Sequence, residues 1–157
     1  MNRALLIVMA MATTPTWACG ELTVENAWIR AAPPGATALA GFATFSNPHA
    51  QSVLIQGASA AGFGAVEMHS MSIDEAGVMR MRQLELVEVK VGEAQTMAPG
   101  GNHLMLLAPQ KSYKAGDTID VALTLCEEKQ QTVRFIVADS APNGEMSSTE
   151  RDHAHHH

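Results

Sequence analysis

Residues 118–126 alternate: Ile119, Val121, Leu123 and Leu125 are apolar, and Asp120, Ala122 and Thr124 stand between them. A period of two predicts a strand with one face on a core and the other toward water. Comparable short segments recur at 22–30, 36–46, 53–56, 65–71, 78–82, 85–91, 103–107 and 132–138. Turn chemistry separates them, at Pro33-Pro34-Gly35, Asn47-Pro48, Asp74 to Gly77, Gly92-Glu93, Pro99-Gly100-Gly101 and Lys114 to Asp117. No stretch sustains a helical apolar period. The pattern therefore predicts an all-β sandwich of about eight or nine short strands.

The two ends read differently from this interior. Arg3 precedes an apolar run over residues 4–12, and Ala18 offers a small residue at a cleavage point before Cys19. That is the layout of an export signal, so residues 1–18 are expected to be removed. The run falls well short of the roughly 18 residues that cross a bilayer, and no later run is longer, so no membrane insertion is expected. After Asp139 the chain turns to Ser, Pro, Asn, Gly and charge. Residues 140–157 are expected to be a disordered tail, which leaves residues 19–139 as the folded domain.

Composition narrows the function. A chain of 157 residues with 46% hydrophobic and 17% charged residues can bury one core. The formal net charge of -6, with no basic block, argues against nucleic acid and anionic lipid as partners. A monomer is expected. The two cysteines, Cys19 and Cys126, would meet an oxidising compartment after export, and an even count there favours a disulfide between them. Lipidation of Cys19 and a free, buried Cys126 thiol are the alternatives.

Aromatic residues make up only 4% of the chain, whereas Met occurs ten times. Met68, Met71, Met79, Met81, Met97 and Met105 lie together in one stretch that also holds His69 and His103. In a strand, residues i and i+2 share a face. His69 therefore pairs with Met71, Met79 with Met81, and His103 with Met105. Three such strands, if adjacent, would each offer two imidazole or thioether groups on one face. Thioether sulfur is soft and uncharged, a poor ligand for Zn²⁺, Mg²⁺ or Ca²⁺, and with imidazole it suits Cu(I). Met also forms no disulfide under oxidation. Core filling is the competing role, favoured for Met68 and Met97. For Met79 and Met81 the alternation with Val78 and Arg80 leaves both roles open, one of the two faces being expected to join the core. His49, in the Asn47-Pro48-His49 turn, is expected to be an ordinary hydrogen-bonded residue.

Glu67-Met-His69-Ser-Met71, Gly77-Val-Met-Arg-Met81 and Pro99-Gly-Gly-Asn-His103-Leu-Met-Leu106, with Trp28-Ile-Arg30 and Pro33-Pro-Gly35, resemble the periplasmic PCu(A)C copper chaperones. That family's pattern is a His, a spaced Met, twenty-one residues and then His-x-Met. Twenty-one residues separate Met81 from His103 here, and His69 stands at the first position. The likeness runs over about residues 20 to 138. It implies a cupredoxin-like Greek-key β-sandwich that binds Cu(I) through His69, Met81, His103 and Met105. It also implies a periplasmic protein delivering copper to the CuA-bearing subunit of cytochrome c oxidase, alongside a Sco-type thiol protein. The family's optional Met after the first His is Ser70 here, so Met71 and Met79 are spare ligand candidates.

The tail carries His153, His155, His156 and His157 beside Asp152. Imidazole and carboxylate suit Cu(II), so a second, flexible metal site is expected there, with a cloning remnant as the alternative. A blue-copper carrier would need a Cys thiolate closely followed by His and Met, and Cys126 has neither nearby. No nucleophile motif or paired carboxylates stand out, so no enzyme is expected. The runner-up reading is a metal-free extracytoplasmic β-sandwich that serves binding or adhesion.

Overall fold

The computed structural model describes residues 19–142. The strands are β1 (Thr23–Arg30), β2 (Ala38–Ser46), β3 (Val53–Ala60), β4 (Ala65–Ile73), β5 (Met79–Leu84), β6 (Val87–Val89), β7 (Ala94–Met97), β8 (His103–Leu107), β9 (Thr118–Leu125) and β10 (Gln130–Ala138). A 3-10 turn, Cys126–Glu128, joins β9 to β10. The all-β expectation holds, with ten strands among the described residues in place of about eight or nine. The strand at 94–97 was not expected, and the segment expected at 85–91 is confined to β6.

Pairing runs in the order β4, β8, β2, β1, β10, β9 and β3, and a β3–β4 contact at Ala58 and Val66 closes it into a barrel-like ring. Three short strands extend the ring: β5 on β4, β6 on β3 and β7 on β2. Most pairs are antiparallel, but β1 and β10 run parallel, with Trp28 opposite Ile136. Parity along each strand fills the interior. Ile119, Val121, Leu123 and Leu125 are all buried, as their alternation demands, and meet Ile29, Phe45, Leu104, Leu106 and Phe135. Each such side chain, fully buried, contributes about 1.5–3 kcal/mol of transfer free energy.

Polar anchors fix the connections. Asn47 is buried between β2 and β3; its Nδ2 donates to the carbonyls of Gln51 at 2.7 Å and Val89 at 2.9 Å, while its Oδ1 accepts the His49 N–H. His49 in turn contacts the Glu21 carbonyl through Nε2 at 2.8 Å, the hydrogen-bonded role expected of it. Cys19 and Cys126 form a disulfide, with Cα atoms 5.8 Å apart. This tie joins the segment before β1 to the turn after β9. Among the described residues Cys126 is therefore not a free thiol, and the bond removes the thiolate that a blue-copper site would require.

Candidate metal centre

The β4–β5 hairpin and β8 place the histidines and methionines. Asp74 shapes the hairpin turn: its Oδ1 accepts from the N–H groups of Ala76 at 3.0 Å and Val78 at 2.9 Å, and its Oδ2 from Arg80 Nε at 2.9 Å. Gly77 supplies the left-handed residue at φ 78°, where a Cβ would be strained. The Val78 N–H, the Arg80 guanidinium and the Ala76 N–H, in that order of effect, hold the Asp74 carboxyl below its ordinary value. The turn sets the register of β5 on β4, in which Met71 faces Met81, His69 faces Gln83 and Ile73 faces Met79. On the other side of β4, Glu67 faces Met105 and His69 faces His103.

Cross-strand partners project to the same face. Met68, Leu104 and Leu106 point into the core, so Glu67, His69, Met71, Met81, His103 and Met105 share the opposite face. His69 is its centre. His103 lies directly across, the two rings meeting edge-on with centroids 5.8 Å apart. Met105 and Met81 take the two diagonal positions, one on each flanking strand, where backbone spacings are about 7–8 Å. Met71 stands directly opposite Met81, one row from His69, and Met79 one row further out, opposite Ile73.

Exposure rises across this surface. His103 is 4% exposed, His69 and Met105 are partly buried, and Met81 is 52% exposed. Met79 is also open to water, at 58%, and so are Val78 and Arg80. The expectation that one face of this strand joins the core fails, because the hairpin tip reaches past the barrel wall and has solvent on both sides. Met68 and Met97 are buried at 3% each, the core role expected of them. His153, His155, His156 and His157 lie outside the described residues.

Two hydrogen bonds orient the rings. His103 Nδ1 donates to the Gly101 carbonyl at 3.0 Å, which leaves its Nε2 lone pair available. His69 Nε2 donates to Glu67 Oε2 at 2.8 Å, and His69 Nδ1 is buried with no hydrogen-bond partner. Glu67 was not singled out in the sequence, although its i, i+2 spacing from His69 places it on the same face. Among the described residues, no cluster of three or more His, Cys, Asp and Glu groups is arranged to hold a metal. With the Glu67 carboxylate engaged by His69 Nε2, the remaining donors on this face are two imidazoles and the thioethers. This set fits a soft monovalent ion and is ill-suited to Zn²⁺ or Ca²⁺.

The LpqE-like family model matches residues 22–137. A protein of Leifsonia xyli subsp. xyli named "Putative lipoprotein Lxx21020" is 27% identical over 131 residues, spanning 83% of this chain and 77% of that protein. The copper-bound PCuAC domain of PmoF2 superposes with a TM-score of 0.63 at 23% identity, over 77% of this chain and 95% of that domain. The Cu(I) form of DR1885 from Deinococcus radiodurans gives 0.58 at 21%, over 72% and 75%. At these identities the solved structures show a shared fold, the cupredoxin-like one that the sequence resemblance implies. With the family match extending over nearly all of the strands, this chain belongs to the LpqE-like family, that of the PCu(A)C domains.

Proposed function

We propose that this chain is a periplasmic copper chaperone that carries Cu(I) on the outer face of β4, β5 and β8 through His69, Met81, His103 and Met105. The observation that carries the proposal is the register of His69 opposite His103, with rings 5.8 Å apart, a buried His69 Nδ1 that has no hydrogen-bond partner, and Met81 and Met105 at the diagonal register positions. A buried acceptor with no donor against it is costly unless an electron-poor partner meets it. The copper-bound state of the PmoF2 domain and the Cu(I) state of DR1885, on the same fold, support the choice of cargo. The lipoprotein name of the Leifsonia relative and the export-signal pattern support a location outside the cytoplasm.

The residues suggest a division of labour. His103, buried and held by the Gly101 carbonyl, is the fixed end of the site. Met81, on the exposed hairpin, is the end that reaches water and an incoming acceptor. With no anionic sulfur in the set, a thiolate-bearing acceptor can take the ion over. The cytochrome c oxidase subunit that bears CuA, with a Sco-type thiol protein alongside, is the proposed destination. The role is that of a carrier and not an enzyme. The histidines of the tail are a proposed second site for Cu(II).

The test is retention. The purified chain, loaded with Cu(I) in the presence of bicinchoninate, is expected to keep copper through gel filtration. The double variant His103→Ala, Met105→Ala is expected to lose it. Equal retention by the two proteins would remove the proposed site, and a wild-type chain without copper would leave the metal-free binding or adhesion module as the better reading.

A further inference from the structure

Resting on the copper reading above, we infer that Glu67 is a positioning residue that decides which nitrogen His69 presents, so that the two histidines ligate through unlike atoms, Nδ1 of His69 and Nε2 of His103. A carboxylate oxygen accepts and does not donate. With Glu67 Oε2 at 2.8 Å, a neutral His69 ring carries its proton on Nε2, and the lone pair is left on Nδ1. That nitrogen is the buried side-chain atom without a partner among the described residues. His103 is oriented the other way round. Its Nδ1 meets the Gly101 carbonyl at 3.0 Å, so the proton is there and the lone pair is on Nε2. The carbonyl is itself held in a closed turn, since the Gly101 N–H donates to Ala98 O and the Ala98 N–H to Asn102 O.

One ring is thus set by backbone, which substitution does not remove, and the other by a single side chain, which it does. Glu67 reaches His69 because both lie on one face of β4 two residues apart, and it stands at the Met105 end of that face, opposite Met105 in the register. A carboxylate bonded to the far nitrogen of a ligating imidazole fixes its tautomer and strengthens it as a ligand. Glu67 accordingly acts through His69 and does not contact the ion.

The test begins with the unloaded, ¹⁵N-labelled protein. Long-range ¹H–¹⁵N correlation is expected to show His69 protonated at Nε2 and His103 at Nδ1. Titration with Cu(I) should then move the resonances of His69 Nδ1 and His103 Nε2. Glu67→Ala should scramble the His69 tautomer and weaken Cu(I) binding in bicinchoninate competition by roughly tenfold. Glu67→Gln, whose amide oxygen still accepts the Nε2–H, should restore the tautomer and most of the affinity. The inference is overturned if unloaded His69 carries its proton on Nδ1, if copper moves His69 Nε2, or if Glu67→Ala matches the wild type in both readouts. A wild-type chain that takes up no Cu(I) overturns the copper reading instead, and the tautomer spectrum still decides whether Glu67 orients His69.

Discussion

Replacing both cysteines, Cys19→Ser with Cys126→Ser, separates fold stability from metal binding. The bond spans 107 positions, so its removal frees almost the whole domain in the unfolded state. Loop-closure entropy for a span of that length gives roughly 5 kcal/mol at 25 °C. Against a typical domain stability of about 5–15 kcal/mol, that is a third or more of the total. Unfolding entropy of roughly 2 cal/mol/K per residue over the described segment converts the loss into a melting point lower by on the order of 15–20 °C. Neither cysteine lies on β4, β5 or β8, so Cu(I) affinity measured well below the transition is expected to stay at its wild-type value. Calorimetry and bicinchoninate competition on the same preparation provide the two readouts. A melting point that falls by less than 5 °C, or an affinity that falls with it, would refute the assignment of this disulfide to the scaffold alone.

Two methionines should give opposite phenotypes. Met81→Leu, at a site 52% exposed, is expected to change stability by less than about 0.5 kcal/mol while weakening Cu(I) retention. Met97→Ala, at a site 3% exposed, should cost about 2–5 kcal/mol in denaturant unfolding and leave retention intact. The reverse pattern would exchange their roles. The β4–β5 turn should be sensitive to acid. Because the Asp74 carboxyl is held below its ordinary 3.8, its contribution is fully present above that pH and is lost as pH falls through the lower folded value. Amide exchange at Ala76 and Val78, taken relative to its intrinsic rate at each pH, should accelerate over that window in the wild type. In Asp74→Ala it should already be fast at neutral pH, and pH-independent protection would contradict the anchoring role.

How far the sequence could be read depended on how much burial each element carries. Segment 118–126 was legible because Ile119, Val121, Leu123 and Leu125 all enter the core, and the opposing polar positions do not. Strand β7 escaped notice because Ala94-Gln-Thr-Met97 buries one large residue, Met97, and its pairing with β2 supplies what its own pattern lacks. The second half of β3, Gly57 to Ala60, has small residues with little apolar contrast, and pairing with β9 defines it. Strand parity alone grouped His69 with Met71 and His103 with Met105. That these pairs share one surface depends on β4 lying between β5 and β8, a long-range arrangement that no local spacing encodes. The exposure of both faces of β5 was equally hidden, since it follows from where the barrel wall ends.

The position of β10 bears on how the chain reaches this shape. The last strand among the described residues, β10, is inserted between the first and the ninth, parallel to one and antiparallel to the other. Until Gln130 to Ala138 are in place, β1 and β9 each present an open hydrogen-bonding edge, and such edges invite pairing with other chains. Contacts between residues so remote along the polymer also make for slow acquisition of the native topology, in the range of milliseconds to seconds. A chain cut short before Gln130 would hold every copper-ligand candidate of the barrel and still be unable to seal it, which makes the final strand the element on which resistance to aggregation depends.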